Sequence, residues 1–264
     1  MPTPRSMAVQ ETRIEHMVER AVQIIRERYA EPLSLDDISR AVLVSKFHLL
    51  RIFDQFTGVT PGRFLSAVRL DEAKRLLRNS DLGVATIACR VGYSSTGSFT
   101  RRFTESVGVP PTRYRRLSRG EGAHAVRPPA LGPGDGVPCR LSGVARAAAE
   151  PVSPIYIGSF AGPILQGHPS SWTSTKRLGP FSLQQVPRGI CYVHAMMRAA
   201  RELPGQPLET VLLTATLGPL DVEPHASPDV ELVLRQRHWS QPPLLFALPG
   251  LEIPITPAPR PGPK

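Results

Sequence analysis

Gly92-Tyr93-Ser94-Ser95-Thr96-Gly97-Ser98-Phe99-Thr100-Arg101-Arg102-Phe103-Thr104-Glu105-Ser106-Val107-Gly108-Val109-Pro110-Pro111 is the stretch on which the fold turns. A tight turn at Gly92-Tyr93-Ser94 leads into a helix from about Thr96 to Val107. Gly108 ends that helix, and Pro110-Pro111 opens another. Phe99 and Phe103 lie one turn apart and point inward, so Thr96, Gly97, Ser98, Thr100 and Arg101 lie toward the outside. Just upstream, Val84–Val91 reads as a short helix. The unit is therefore a short helix, a tight turn and a longer helix.

The same unit occurs once before. Ser34-Leu35-Asp36-Asp37 resembles a capping box with Asp in place of Glu, opening a short helix to Ala41. Ser45 is the N-cap of a longer helix through Phe56, closed by Gly58. Leu49, Ile52, Phe53 and Phe56 share its inner face, leaving Lys46, Phe47, Leu50, Arg51 and Asp54 on the other side. Thr60-Pro61 starts a long helix to about Arg78 that separates the two units. A first helix, about Arg13–Tyr29, carries the stripe Ile14, Met17, Val18, Ala21, Ile24 and Ile25 and stops before Pro32. With the short helix after Pro110-Pro111, residues 13–119 form an all-α domain of seven helices, preceded by a flexible start at 1–12.

Charge follows the helices. The chain carries net charge +10; residues 1–120 hold 20 Lys and Arg against 12 Asp and Glu, while residues 121–264 hold 12 against 10. A basic helical domain points to a polyanion, and a helix of this diameter fits the major groove of B-DNA, where base edges are distinguishable. Arg51 and Arg101 are the first candidates for bidentate bonds to guanine. Phe47 and Leu50 suit thymine methyls, with Lys46, Thr96, Gly97 and Ser98 completing the base-facing set. Ser45, His48, Ser95, Thr100 and Arg102 are assigned to phosphate, the serines because helix N-termini attract anions. Solvated arginines on an ordinary helical bundle would explain either helix alone; the repeat argues against that.

These residues resemble the AraC/XylS family of bacterial transcription regulators. The second unit matches in its Gly92-Tyr93 turn, its Phe99-x-x-x-Phe103 and its Gly108-x-x-Pro111 through Tyr114-Arg115 close. The first matches in Ser45-Lys46-Phe47-His48-Leu49-x-Arg51-x-Phe53 and Thr57-Gly58-x-x-Pro61, and Arg69-Leu70-x-x-Ala73-x-x-Leu76-Leu77 is similar to the family's linker helix. The resemblance covers residues 13–116. It implies a double helix-turn-helix domain whose two recognition helices enter successive major grooves of duplex DNA, with RNA polymerase as a further partner. By position, base reading would fall to Phe47, Leu50 and Arg51, then Gly97, Ser98 and Arg101. Gly97 departs from the larger polar residues common there and has no side chain to read a base.

Composition changes near residue 120. Six of the 29 prolines precede it. Gly120–Pro138 reads as a Gly/Pro linker, and Pro254–Lys264 as a Pro-rich tail. Between them, residues 139–253 read as a mainly-β, sandwich-like domain, so the whole is an α + β multidomain chain. Its candidate strands are Ile155–Phe160, Phe181–Val186, Ile190–Met196, Thr210–Leu217, Val230–Leu234 and Leu244–Leu248. The run Gly158…Gly162-Pro163-Ile164-x-Gln166-Gly167-x-Pro169…Gly179-Pro180-Phe181-x-Leu183…Val186-Pro187-x-Gly189-x-x-Tyr192 resembles carboxypeptidase-regulatory or transthyretin-like sandwiches. That resemblance implies an accessory or sensing module, with a small-molecule effector as its ligand. Regulators of the first family usually end with their DNA-binding domain, whereas here it comes first.

Other classes find less support. Pro138-Cys139-Arg140 lacks the histidine of an alkyltransferase nucleophile, and His168, His194, His225 and His238 show no catalytic or metal-ligand spacing. Cys89, Cys139 and Cys191 form neither a disulfide framework nor a zinc motif, with Cys89 read as packing on its short helix. No run reaches membrane-span length and Met1–Gln10 lacks a signal's apolar core, so a cytoplasmic protein without cofactor, metal or membrane partner is expected.

Overall fold

The computed structural model describes residues 4–119, 139–201, 209–224 and 229–247, with side chains described from residue 12 onward. The expected linker at 120–138 and tail at 254–264 lie outside the described residues. Seven helices come first: α1 Pro4–Glu27, α2 Leu35–Ala41, α3 Lys46–Thr57, α4 Pro61–Asn79, α5 Val84–Arg90, α6 Thr96–Val107 and α7 Pro111–Ser118. One boundary corrects the sequence reading. Helix α1 begins at Pro4, inside the start expected to be flexible, because proline costs nothing at a first helical position and Arg5–Gln10 contains no breaker.

Local chemistry places the other ends. Ser34 accepts from the Asp37 N–H at 3.2 Å while Asp37 accepts from the Ser34 N–H at 2.9 Å, so the Asp-type capping box forms. Those bonds to Ser34 hold the Asp37 carboxyl below its usual range, with Arg40 adding a smaller effect. The helices close on one core, including Val18, Ile25, Leu49, Phe53, Phe64, Leu70, Leu77, Phe99 and Phe103, all fully buried or nearly so. Phe53 meets Phe64 edge-on, and Phe103 meets Tyr114 in the same way.

Seven strands follow among the described residues: β1 Cys139–Ala147, β2 Ile155–Phe160, β3 Ser171–Thr175, β4 Gly179–Val186, β5 Gly189–Arg201, β6 Glu209–Val222 and β7 Asp229–Gln236. They form a single sheet in the order β3-β2-β5-β6-β7-β1-β4, antiparallel except for the β1–β7 pair. The two end strands approach each other, and the Ser171 hydroxyl of β3 donates to the Gln184 carbonyl of β4. The sheet is thus a nearly closed barrel rather than the expected sandwich. Curling one sheet covers the edges that β3 and β4 would otherwise expose. Leu141, Ile157, Leu183, Val193, Met197, Val222 and Leu232 fill its interior.

Residues 244–247, expected to begin a strand, instead wedge between the two domains. The Leu245 and Phe246 N–H groups donate to the Leu165 carbonyl, and Leu245 and Ala247 join the helical core together with Ile164. An apolar run suits a plug as well as a strand, and here the plug buries it on both sides. The β domain therefore completes the helical domain's core. Among the described residues no helix is long and apolar enough to cross a membrane.

Candidate nucleic-acid interface

The two helix–turn–helix units are built alike, atom by atom, around their turns. In the first, the Leu43 N–H donates to the Arg40 carbonyl and the Val44 N–H to Ser39. In the second, Gly92 donates to Cys89 and Tyr93 to Ala88. Both turns pass through a left-handed residue, Leu43 at φ 57° and Gly92 at φ 82°. The longer helices begin on equivalent serines: Ser45 Oγ accepts from the His48 N–H and Ser95 Oγ from the Ser98 N–H, each at 3.3 Å. They end on equivalent left-handed glycines, Gly58 at φ 71° and Gly108 at φ 88°.

Between cap and stop, the inner faces are Leu49, Ile52, Phe53 and Thr57 in α3, and Phe99, Phe103, Ser106 and Val107 in α6. At 3.6 residues per turn, the sequence-predicted base-facing residues fall opposite. Lys46, Phe47, Arg51, Thr96, Gly97, Ser98 and Arg101 are exposed, while Leu50 and Thr100 are half-buried beside them. Phe47 is 85% exposed and Leu43, in the first turn, 91%. Large apolar side chains so placed gain nothing from water, but suit the methyl and sugar surfaces of a groove. Ser45, Ser95 and Arg102 are exposed, with Arg102 on the flank of α6, and His48 is half-buried.

Two local contacts bear on the candidates. Lys46 pairs with Asp36 of α2 at 2.9 Å. Both side chains are about half exposed, and such a pair contributes only about 0–1 kcal/mol, so a nucleic-acid acceptor can displace it. Arg51 Nη2 lies 3.3 Å from His48 Nδ1. A guanidinium only donates, so that nitrogen accepts; the bond steers Arg51 along the outer face.

Arg69 of α4 bridges the loop after α1 and the second turn. Its Nε donates to the Tyr29 carbonyl and its Nη2 to the Glu31 carbonyl, both at 2.7 Å, and its guanidinium lies over the Tyr93 ring at 5.9 Å. One side chain thus ties the loop after α1 to the second turn. Burial pushes the Arg69 guanidinium down from its ordinary value, with a smaller opposing influence from Tyr93. In α7, Arg115 donates to the carbonyls of Leu77 and Leu82 and so anchors the end of α4. Periodicity marks neither residue as a fastener, because both look like surface arginines until the fold brings carbonyls to them.

The β domain reaches the C-terminal end of α6. The Gly167 N–H donates to the Ser106 carbonyl at 2.6 Å and the Ala247 N–H to the Val107 carbonyl at 3.1 Å. These are among the four carbonyls that a helix C-terminus leaves without internal partners. Lys74 Nζ donates to the Leu244 carbonyl and Arg26 Nη2 to the Trp239 carbonyl, both at 3.0 Å. Of the cysteines, Cys89 is exposed, contrary to expectation, because α5 buries Ile87 and Ala88 instead. Cys139 is buried in the barrel.

The chain is similar to several known proteins. A family model described as a helix-turn-helix domain matches residues 38–117. A probable transcription factor of Proteus vulgaris, PqrA, is 36% identical over 85 residues, which is 32% of this chain and 70% of that protein. The melibiose operon regulatory protein of Escherichia coli K12 is 28% identical over 102 residues, covering 39% of this chain and 34% of that one. The crystal structure of a regulator with an AraC-type DNA-binding domain from Chromobacterium violaceum aligns with 41% of this chain and 96% of its own, at 29% identity and TM-score 0.39. The matches of three further relatives span 28%, 36% and 40% of those proteins' lengths. The chain belongs to the AraC/XylS-type family of helix-turn-helix, DNA-binding transcription regulators.

Proposed function

We propose that α3 and α6 enter successive major grooves on one face of a duplex operator, and that the β-barrel senses an effector and adjusts that binding. The observation that carries the first half is the equivalence of the two units. Each presents an exposed arginine, Arg51 or Arg101, at the same position of a Ser-capped, Gly-ended helix. Phe47, Leu50 and Ser98 supply further base contacts. Ser45, His48, Ser95, Thr100 and Arg102 hold phosphates, and Lys46 and Thr96 flank the helix starts. Gly97 leaves the second unit with less to read, so α6 contributes orientation more than selectivity. The second half rests on the barrel's bonds to the Ser106 and Val107 carbonyls. On the operator the protein regulates transcription, with RNA polymerase as its expected partner.

The test starts by selecting a preferred duplex from a random pool with the full chain, then measures affinity by fluorescence anisotropy. Arg51→Ala should weaken binding to that duplex by about 1–3 kcal/mol, roughly five- to 150-fold, and relax the preference at one base pair. Affinity should also fall steeply as salt rises, because phosphate contacts release counterions. Uniform weakening across all sequences would mean that Arg51 reads no base; absence of any preferred duplex would reject operator binding altogether.

A further inference from the structure

Between the C-terminal turn of α3 and the barrel lies a cavity of about 350 Å³. Thr57 and Gly58 of α3 form one wall. Leu165, Tyr192, His194 and Leu244 form part of the other, together with Arg237, which follows β7. The volume falls in the usual range of small-molecule sites, roughly 300–1,000 Å³. Its lining shares its surface equally between polar and apolar groups.

The polar groups are specific. His194 is 2% exposed; its ring atoms meet the Thr216 hydroxyl at 2.9 Å and the Gly162 carbonyl at 3.0 Å. A carbonyl only accepts, so Nε2 carries the proton and Nδ1 accepts from Thr216: the ring is neutral and fully engaged. Arg237 is the cation of this wall. Its Nη2 donates to the Gln241 and Pro242 carbonyls at 3.2 and 2.6 Å, and its buried Nε meets no acceptor among the described residues. Burial pushes its guanidinium down from the ordinary value. Asp71 opposes that effect and Arg26 adds to it, but neither lines the cavity. The other ionised side chain of the lining, Asp54, is exposed, and water screens its charge far more than that of Arg237.

We infer that this cavity is the effector site, and that it takes a small monocarboxylate with an apolar body, the carboxylate on Arg237 and the body against Leu165, Tyr192 and Leu244. This deepens the sensing reading proposed above and rests on it. A guanidinium in the lining matches a carboxylate, and a single added negative charge suits a single cation. A phosphate monoester would bring about two negative charges to that one cation, a poorer match. The occupant would touch α3 at Thr57 and Gly58, so its binding is felt at the end of a recognition helix.

The test titrates the full chain calorimetrically with cinnamate, octanoate and 2-naphthoate, each beside its neutral amide. At least one acid should bind in the sub-millimolar range, and its amide about tenfold or more weaker. Arg237→Gln should bring the acid and amide to equal affinity. Tyr192→Trp, which keeps the cation but fills space, should weaken the acid about tenfold while leaving thermal unfolding of the free protein unchanged. If no acid binds, if amides bind as well as acids, or if both variants bind normally, the site is wrong even where operator binding stands. If acids bind as described but shift operator affinity less than about twofold, the cavity is a ligand site without the regulatory link, and the sensing reading falls instead.

Discussion

His194 shows how far burial moves a single side chain. Desolvation lowers its pKa from 6.5 to about 4, against a smaller opposing pull from the Gly162 carbonyl. The unfolded chain takes up this proton near pH 6.5 and the folded chain only near pH 4. Between those values the unfolded state binds more protons, so stability falls as pH falls, by up to about 3 kcal/mol. The contribution is complete above about pH 6.5, and the loss levels off below about pH 4. Urea midpoints at pH 7.5 and 4.5 should therefore converge for His194→Gln relative to the wild type; equal losses in both proteins would exclude His194 as the source. None of this was visible in the sequence, where His194 is one of several scattered histidines. Arg51 and Arg101 were visible, because helical spacing puts them opposite Phe53 and Phe103 whatever the rest of the chain does.

At the level of elements, caps and turns did most to make the helices legible. Ser34, Ser45, Ser95, Gly58 and Gly108 satisfy backbone groups within a few residues of themselves, so their effect needs no knowledge of tertiary structure. Strands lack that local grammar. The sequence does not mark β1 because its buried positions include small residues, such as Ala145, nor β3 because Ser171-Trp172-Thr173-Ser174-Thr175 has no apolar alternation; distant partners make both into strands. The second turn offers a sharp test of element placement. A Cβ at Gly92, already at φ 82°, would lie 2.9 Å from the Ala30 carbonyl oxygen and 3.0 Å from the Arg69 guanidinium. Gly92→Ala should destabilise the protein by about 1–3 kcal/mol through strain. Because Arg69 joins the loop after α1 to this turn, the substitution should also cost operator affinity beyond that explained by unfolding, as measured under conditions where the variant stays folded. Affinity equal to that of the wild type would show that the Arg69 tie does not set the spacing of α3 and α6.

For the molecule as a whole, the helical domain is not finished by its own residues. Ile164, Leu245 and Ala247 sit in its core, and a buried aliphatic of Leu or Ile size contributes about 1.5–3 kcal/mol. A chain ending at residue 119 should therefore melt below the full-length protein and bind the selected duplex more weakly. The intact chain should unfold in one calorimetric transition. Two separate transitions, with the earlier one matching the isolated helical fragment, would show that the junction carries little energy. Neither the junction nor the barrel's closure could be read from the residue pattern, since each depends on segments far apart in the chain meeting in space.

The bonds from Gly167 and Ala247 to the last carbonyls of α6 bear on any attempt at re-engineering. Grafting a foreign receptor module after residue 119 would strip those carbonyls of their donors and take Ile164, Leu245 and Ala247 out of the helical core, however good the new module was. A workable hybrid would transplant the short stretches around Gly167 and Ala247 along with the helices. In this regulator the helical domain's working boundary takes in two short segments from the β domain, beyond the point that composition suggests.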